Sequence, residues 1–241
     1  MLKISDVRLT ERRCDSGLWQ AAAGILDVPA SAVNDLRILR LSVDARRKPD
    51  VRFVYTLLVT VDDERAVLNR CAGNGQVSLY DPPDSYVFPY QSVDGARNPV
   101  VIVGTGPAGL FAALCLAEAG VRCVILERGQ PIERRVKDVE HFWNCGVLDT
   151  TSNVQFGEGG AGTFSDGKLT TGISDKRTMF VLERLVRFGA PDDILYLSKP
   201  HIGTDKLRAV VRAVREKLID LGCDVRFGHR LSDIEATDGV L

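Results

Sequence analysis

Gly104-Thr-Gly-Pro-Ala-Gly109 sets three glycines at fixed offsets directly after the apolar run Val100-Val-Ile-Val103. Each glycine meets a mechanical need. Gly104 permits a tight strand-to-helix turn, Gly106 lets the backbone approach a pyrophosphate, and Gly109 lets the next helix lie close on the sheet. The helix that opens at Pro107-Ala108 offers unpaired N–H groups and its positive dipole end, both of which attract phosphate. A second apolar strand, Val121 to Leu126, then delivers Glu127. It falls roughly 20 residues on, where a carboxylate can accept both ribose hydroxyls. A lone glycine fingerprint is weak, but strand, glycines, helix, Gly120, strand and acid all stand in register here. The segment is expected to bind a dinucleotide, and the acid at 127 disfavours a 2′-phosphate.

A second glycine cluster has its own chemistry. Residues 157 to 167 hold five glycines, interleaved with Ala161, Thr163 and Ser165. Such a chain can pass close to a flat ligand and offer backbone N–H groups to it. Gly159, Gly160, Gly162, Thr163, Ser165 and Lys168 are the expected contacts. Gly162-Thr-Phe-Ser-Asp-Gly-Lys168 also meets most of a phosphate-loop pattern, yet Leu169 replaces the Ser/Thr that would hold magnesium. A glycine loop with no ligand role is the plain alternative. Arg135 is placed to reach phosphates from the helix after the second strand, or else is an exposed helix charge. Lys168 and His201 are the candidates for catalysis. Cys145 lacks a resolving partner, and the six cysteines and three histidines form no metal-ligand spacing.

Gly-x-Gly-Pro-Ala-Gly followed by Glu127-Arg128-Gly129 resembles the FAD-binding domain of glutathione-reductase-type flavoproteins. Ser152 to Leu169, with Lys199-Pro-His-Ile-Gly-Thr-Asp205, is similar to a bacterial and plastid family of uncharacterised FAD-dependent dehydrogenases. That resemblance covers nearly the whole chain. It implies FAD as cofactor, Arg128 among its contacts, NAD(P)H as a possible reductant, and a hydride or electron-pair transfer through flavin to an unknown substrate. It also implies that a substrate domain and the remaining C-terminal half of a longer flavoprotein follow residue 241. Two other readings stay open at this point: an NAD-binding dehydrogenase, and a non-catalytic flavin-containing module that contacts RNA through residues 1–80.

The elements that must hold these residues divide the chain. An α/β, Rossmann-type FAD-binding domain with an incomplete parallel sheet is expected over 99–241. A small ferredoxin-like α+β domain is expected over 1–80, with an extended Pro- and Tyr-rich linker over 81–98. In the first part, Leu2 to Leu9 reads as a strand, and Gly17 to Leu26 as a helix with Leu18, Ala21, Ala22 and Ile25 on one face. Leu39 to Val43 and Val51 to Val61 alternate as half-buried strands. Asp62 to Cys71 follows as a helix capped by Asp62 or Asp63. In the second part, Val100 to Val103 is expected as a central strand buried on both faces. Leu207, Val210, Val211, Val214, Leu218 and Leu221 make one apolar helix stripe. Cys223 to Phe227 is a third parallel strand, Arg230 to Ala236 begins another, and Asp238-Gly turns into Val240-Leu241.

The balance of 31 basic and 32 acidic side chains creates no field toward nucleic acid or membrane. Arg46-Arg-Lys48 sits at a predicted turn, where charge is expected anyway. No signal-peptide pattern and no apolar run of membrane length occurs, so a cytoplasmic protein without membrane partners is expected.

Overall fold

A computed structural model of the protein describes residues 1–12, 15–89, 98–165, 167–169 and 174–235. Two compact units result, Met1–Ser85 with Asp192–Pro200, and Tyr86–Pro191 with His201–Leu241.

The first unit runs β1 (Leu2–Leu9), α1 (Asp15–Leu26), β2 (Val33–Arg47), β3 (Asp50–Val61), α2 (Glu64–Arg70) and β4 (Val77–Leu79). Its strands form one antiparallel sheet in the order β2-β3-β1-β4. Period-two alternation puts Tyr55, Leu57, Val59 and Val61 on the inner face, where all are buried. Leu18, Ala22 and Leu26 of α1 recur every fourth residue and cover that face. The short strand β4 has no counterpart in the sequence reading, because three residues carry too little alternation to signal one. Asp63 caps α2, its carboxylate accepting the Ala66 N–H at 2.9 Å. Asp63→Ala is expected to cost about 1 kcal/mol of stability in thermal unfolding. The segment Asp192–Pro200 joins this unit by lying on the edge of β2. Leu41 donates its N–H to the Tyr196 carbonyl at 2.7 Å and accepts the Ser198 N–H at 2.9 Å.

The second unit holds β5 (Val100–Val103), α3 (Pro107–Glu118), β6 (Cys123–Glu127), α4 (Ile132–Cys145), α5 (Arg177–Arg187), α6 (Thr204–Asp220) and β7 (Asp224–Phe227). The three strands are parallel, in the order β5-β6-β7. Leu110, Ala113, Leu114 and Ala117 of α3 pack with Val211, Val214 and Leu218 of α6 over Cys123 and Ile125. The expected apolar stripe of α6 is therefore the side that covers the sheet.

Two expectations need correction. β5 is not central: among the described residues it pairs with β6 alone, and Val100, Val101 and Val103 are exposed. An apolar run identifies a strand, but it does not count the neighbours that strand will have. Residues 230–235 form no strand. Ala236 and Asp238 to Leu241 lie outside the described residues, as do Cys14 and Tyr90. Tyr86 packs edge-on against Phe180 within the second unit, ring centres 5.1 Å apart. Among the described residues no helix is long and apolar enough to cross a membrane, and no His/Cys/Asp/Glu group has the arrangement to hold a metal.

Candidate functional site

The glycine turn lies at the carboxyl ends of β5 and β6. Gly104 takes φ +94°, a conformation open to glycine, and donates its N–H to the Leu126 carbonyl at 2.7 Å. At Gly109 an added Cβ would overlap the Gly104 carbonyl oxygen, so the first turn of α3 rests directly on the loop. Gly106 is the reverse case: a Cβ there would meet nothing within 4 Å, because it projects into open space. Gly106 is also the N-cap of α3, no side chain caps the helix, and Pro107 occupies its first turn. The N–H groups of Ala108 and Gly109 fall in the first turn, where no intrahelical acceptor exists.

Glu127 ends β6 and ties the two strand tips together. One carboxylate oxygen accepts the Thr105 N–H at 2.8 Å and the Thr105 hydroxyl at 2.7 Å; the other accepts the Gly129 N–H at 2.8 Å. The first oxygen is thereby filled, and the second keeps one acceptor site. A cavity of about 410 Å³ opens here, with Gly104, Gly106 and Glu127 on one wall and Phe156, Gly157 and Gly160 on another. Arg128 completes that corner, its guanidinium 3.7 Å from the centre of the Phe156 ring. His229 to Leu231, which follow β7, close the third side. His229 is held there by its N–H to the Glu127 carbonyl at 2.9 Å.

The glycine-rich segment comes up against the turn through backbone contacts. Gly159 donates to the Thr105 carbonyl at 2.9 Å, and a Cβ on Gly160 would lie 3.2 Å from the Gly106 Cα. What holds the segment is Arg135, which is fully buried and is therefore no exposed helix charge. Its guanidinium donates to the carbonyls of Asn153 (2.9 Å), Val154 (2.9 Å), Glu158 (2.5 Å) and Gly160 (2.9 Å), with Gly157 at 3.3 Å. Burial pulls its pKa down to about 10, opposed by the nearby charges of Glu127 and Glu158, so it stays protonated at neutral pH. Glu158 is fully buried as well. It accepts the Ile132 N–H at the start of α4 at 2.7 Å, and its second oxygen lies 3.3 Å from Arg215 Nε without a hydrogen bond. Burial pushes its pKa up to about 7, against the Ile132 N–H and Arg215.

The remaining expected contacts divide. Thr163 is fully buried behind the loop, where a Cβ on Gly159 would overlap its hydroxyl. Gly162 and Ser165 are exposed, and the Ser165 hydroxyl donates to the Gly162 carbonyl at 2.8 Å. Lys168 and His201 are paired with each other across an antiparallel bridge, and the Ile202 N–H bonds the Gly167 carbonyl at 2.9 Å beside it. Neither forms part of the cavity wall. The sequence reading missed Thr105, Gln155, Phe156, Gly157, Glu158 and the residues after β7. Only Thr105 and Gly157 carried a signal, through their places inside glycine clusters.

The model of a family described as an FAD binding domain matches residues 97–240, and that of a domain of unknown function matches residues 1–60. An uncharacterized protein of Clostridium beijerinckii is 41% identical over 222 residues, which is 90% of this chain and 40% of the relative. The chain thus spans about 40% of that relative's length. A sarcosine oxidase subunit alpha of Rhizobium meliloti is 35% identical over 63 residues, 26% of this chain and 6% of the other.

Proposed function

This chain belongs to the FAD binding domain family, and on that footing we propose that it holds FAD between the glycine turn and the Arg135 loop and serves an oxidoreductase whose substrate is unassigned. The observation that carries this is the open cradle at Gly106, directly at the uncapped N-terminus of α3. A pyrophosphate fits there because backbone N–H groups and the helix dipole both favour it. Glu127, at the cavity wall, takes a ribose hydroxyl on the one acceptor site it has left. Arg128 lies flat on Phe156 beside it and borders the adenosine. The bound flavin supplies two-electron chemistry, and the protein's part is to hold and orient it. Lys168 and His201, neighbours across their bridge, are the side chains we nominate to move a proton near the substrate. NAD(P)H as the reductant and a glutathione-reductase-type arrangement belong to the same proposal. The interleaved β1-α1-β2 and β3-α2-β4 connections, with strand order β2-β3-β1-β4, support a ferredoxin-like reading of the first unit.

The test is the visible absorbance spectrum of the purified protein. Oxidised-flavin bands released on denaturation are expected, and a colourless chain that FAD cannot reconstitute would sink the proposal. Glu127→Gln sharpens it. The variant should bind FAD roughly tenfold to a hundredfold more weakly, because a charge-assisted pairing with a ribose hydroxyl is lost. Affinity for FMN, which has no adenosine, should fall less, by only what the slackened Thr105 turn costs. Equal losses for both ligands would remove Glu127 from the ribose.

A further inference from the structure

Arg135 satisfies its guanidinium with main-chain carbonyls that all belong to one eight-residue stretch, 153–160. A trans peptide points its C=O and the following N–H in opposite directions. Turning the carbonyls of Asn153, Val154, Gly157, Glu158 and Gly160 onto one buried cation therefore turns the N–H groups of the next residues away from it. Three of those are spent: Glu158 donates to the Gln130 carbonyl at 3.1 Å, Gly159 to the Thr105 carbonyl, and Gln155 to Asn153 Oδ1 at 2.9 Å. The N–H of Ala161 finds no acceptor among the described residues, and it follows Gly160, which lines the cavity beside Gly106.

The space around the guanidinium is closed on its far side. A Cβ on Gly157 would come 2.5 Å from Arg135 Cδ, and a Cβ on Gly129 would come 2.5 Å from the Gly157 Cα. Gly157 also takes φ +120°, which an L side chain rarely adopts. Arg135, Gly157 and Gly129 are stacked with no room between them. Lysine cannot replace the arginine here, because one ammonium offers three donors from a single point, whereas the five carbonyls are reached from three planar nitrogens.

We propose that Arg135 is a positioning residue for the nucleotide: a buried cation that gathers the carbonyls of residues 153–160 and so holds the loop, with the uncommitted Ala161 N–H, at the cavity opposite the glycine turn. The ligand half of this rests on the FAD reading; the loop half does not. It extends to Gly157, whose missing side chain makes the arrangement possible.

Arg135→Lys, Arg135→Ala and Gly157→Ala test it in the full chain with two readouts. The first is FAD affinity by quenching of flavin fluorescence. The second is amide hydrogen exchange of the ligand-free protein. All three variants should lose FAD affinity on the order of a hundredfold, since several charge-assisted bonds that hold the loop go together. Exchange should accelerate at residues 153–161 while α3 and α6 keep wild-type protection. Millimolar guanidinium should restore part of the Arg135→Ala loss, and potassium at equal ionic strength should not. Wild-type affinity and wild-type exchange in Arg135→Lys would overturn the assignment. So would acceleration spread through α3 and α6, which would make Arg135 a general fold residue. Failure of the unaltered chain to bind FAD would sink the FAD reading alone, and local exchange at 153–161 would still decide the role of Arg135.

Discussion

Gly106→Ala is expected to fold like the unaltered chain and to bind FAD at least roughly a hundredfold more weakly, whereas Gly109→Ala loses both stability and FAD affinity. The two glycines stand three residues apart and differ in what surrounds them. An added Cβ at Gly106 meets nothing within 4 Å, and φ there is −69°, which alanine adopts freely. The fold cost is that of replacing glycine at an N-cap, about 1 kcal/mol or less. The methyl group fills the space a pyrophosphate needs, so affinity should fall by at least roughly a hundredfold, the equivalent of about 3 kcal/mol. At Gly109 the Cβ overlaps the Gly104 carbonyl oxygen, which is main chain and cannot swing aside. The first turn of α3 must lift from the loop, at a cost of about 1–3 kcal/mol or more for overpacking. Lifting it also displaces the N–H groups that face the phosphates. Urea unfolding and equilibrium FAD binding separate the cases. A Gly106→Ala protein with wild-type affinity would move the phosphates away from this turn.

That contrast explains which parts of the site were legible in sequence. The glycine turn and Glu127 are positions where backbone geometry and local spacing dictate the residue, so type and interval together announce them. The α6 stripe and the alternation of β3 were legible for the same reason, since burial on one face leaves a period. Arg135 was harder. Its neighbour Arg134 is exposed and pairs with Asp138 at 2.9 Å, and nothing local tells one arginine from the other. The usable signal was spacing: Arg135 sits three residues after Ile132 and four before Val139, and all three are buried on one face of α4. A charged residue on the apolar phase of a helix points to partners inside, here the carbonyls of a loop some twenty residues away. Glu158 had no such phase to betray it, being enclosed by glycines in an irregular segment. The exposure of β5 was illegible for another reason, because neighbours across a sheet are set by distant chain.

Glu158 gives the other large effect, and its sign follows from burial. Its carboxylate is fully buried and one oxygen accepts no hydrogen bond. Burial holds the folded-state pKa at about 7, above the ordinary carboxylate value of 4.5. The folded chain therefore binds a proton that the unfolded chain has already released across this interval. Stability from this group is fully present below pH 4.5, declines as pH rises, and is lost once pH passes about 7. The shift corresponds to roughly 3 kcal/mol. Glu158→Gln mimics the protonated form: its amide oxygen can still accept the Ile132 N–H, and no charge is buried. The variant should match the parent near pH 4.5 and exceed it by roughly 3 kcal/mol at pH 8. Arg215 keeps its 2.7 Å bond to Glu133 in either case, so the substitution does not leave that cation unpaired. Urea unfolding in a Trp19→Phe background reads the second unit alone, since Trp143 of α4 is then the remaining tryptophan. A stability gap that stays constant from pH 4.5 to 8 would show that Glu158 is ionised throughout. The loop would then be fastened to α4 by a carboxylate at every pH, with Arg215 supplying the compensating charge.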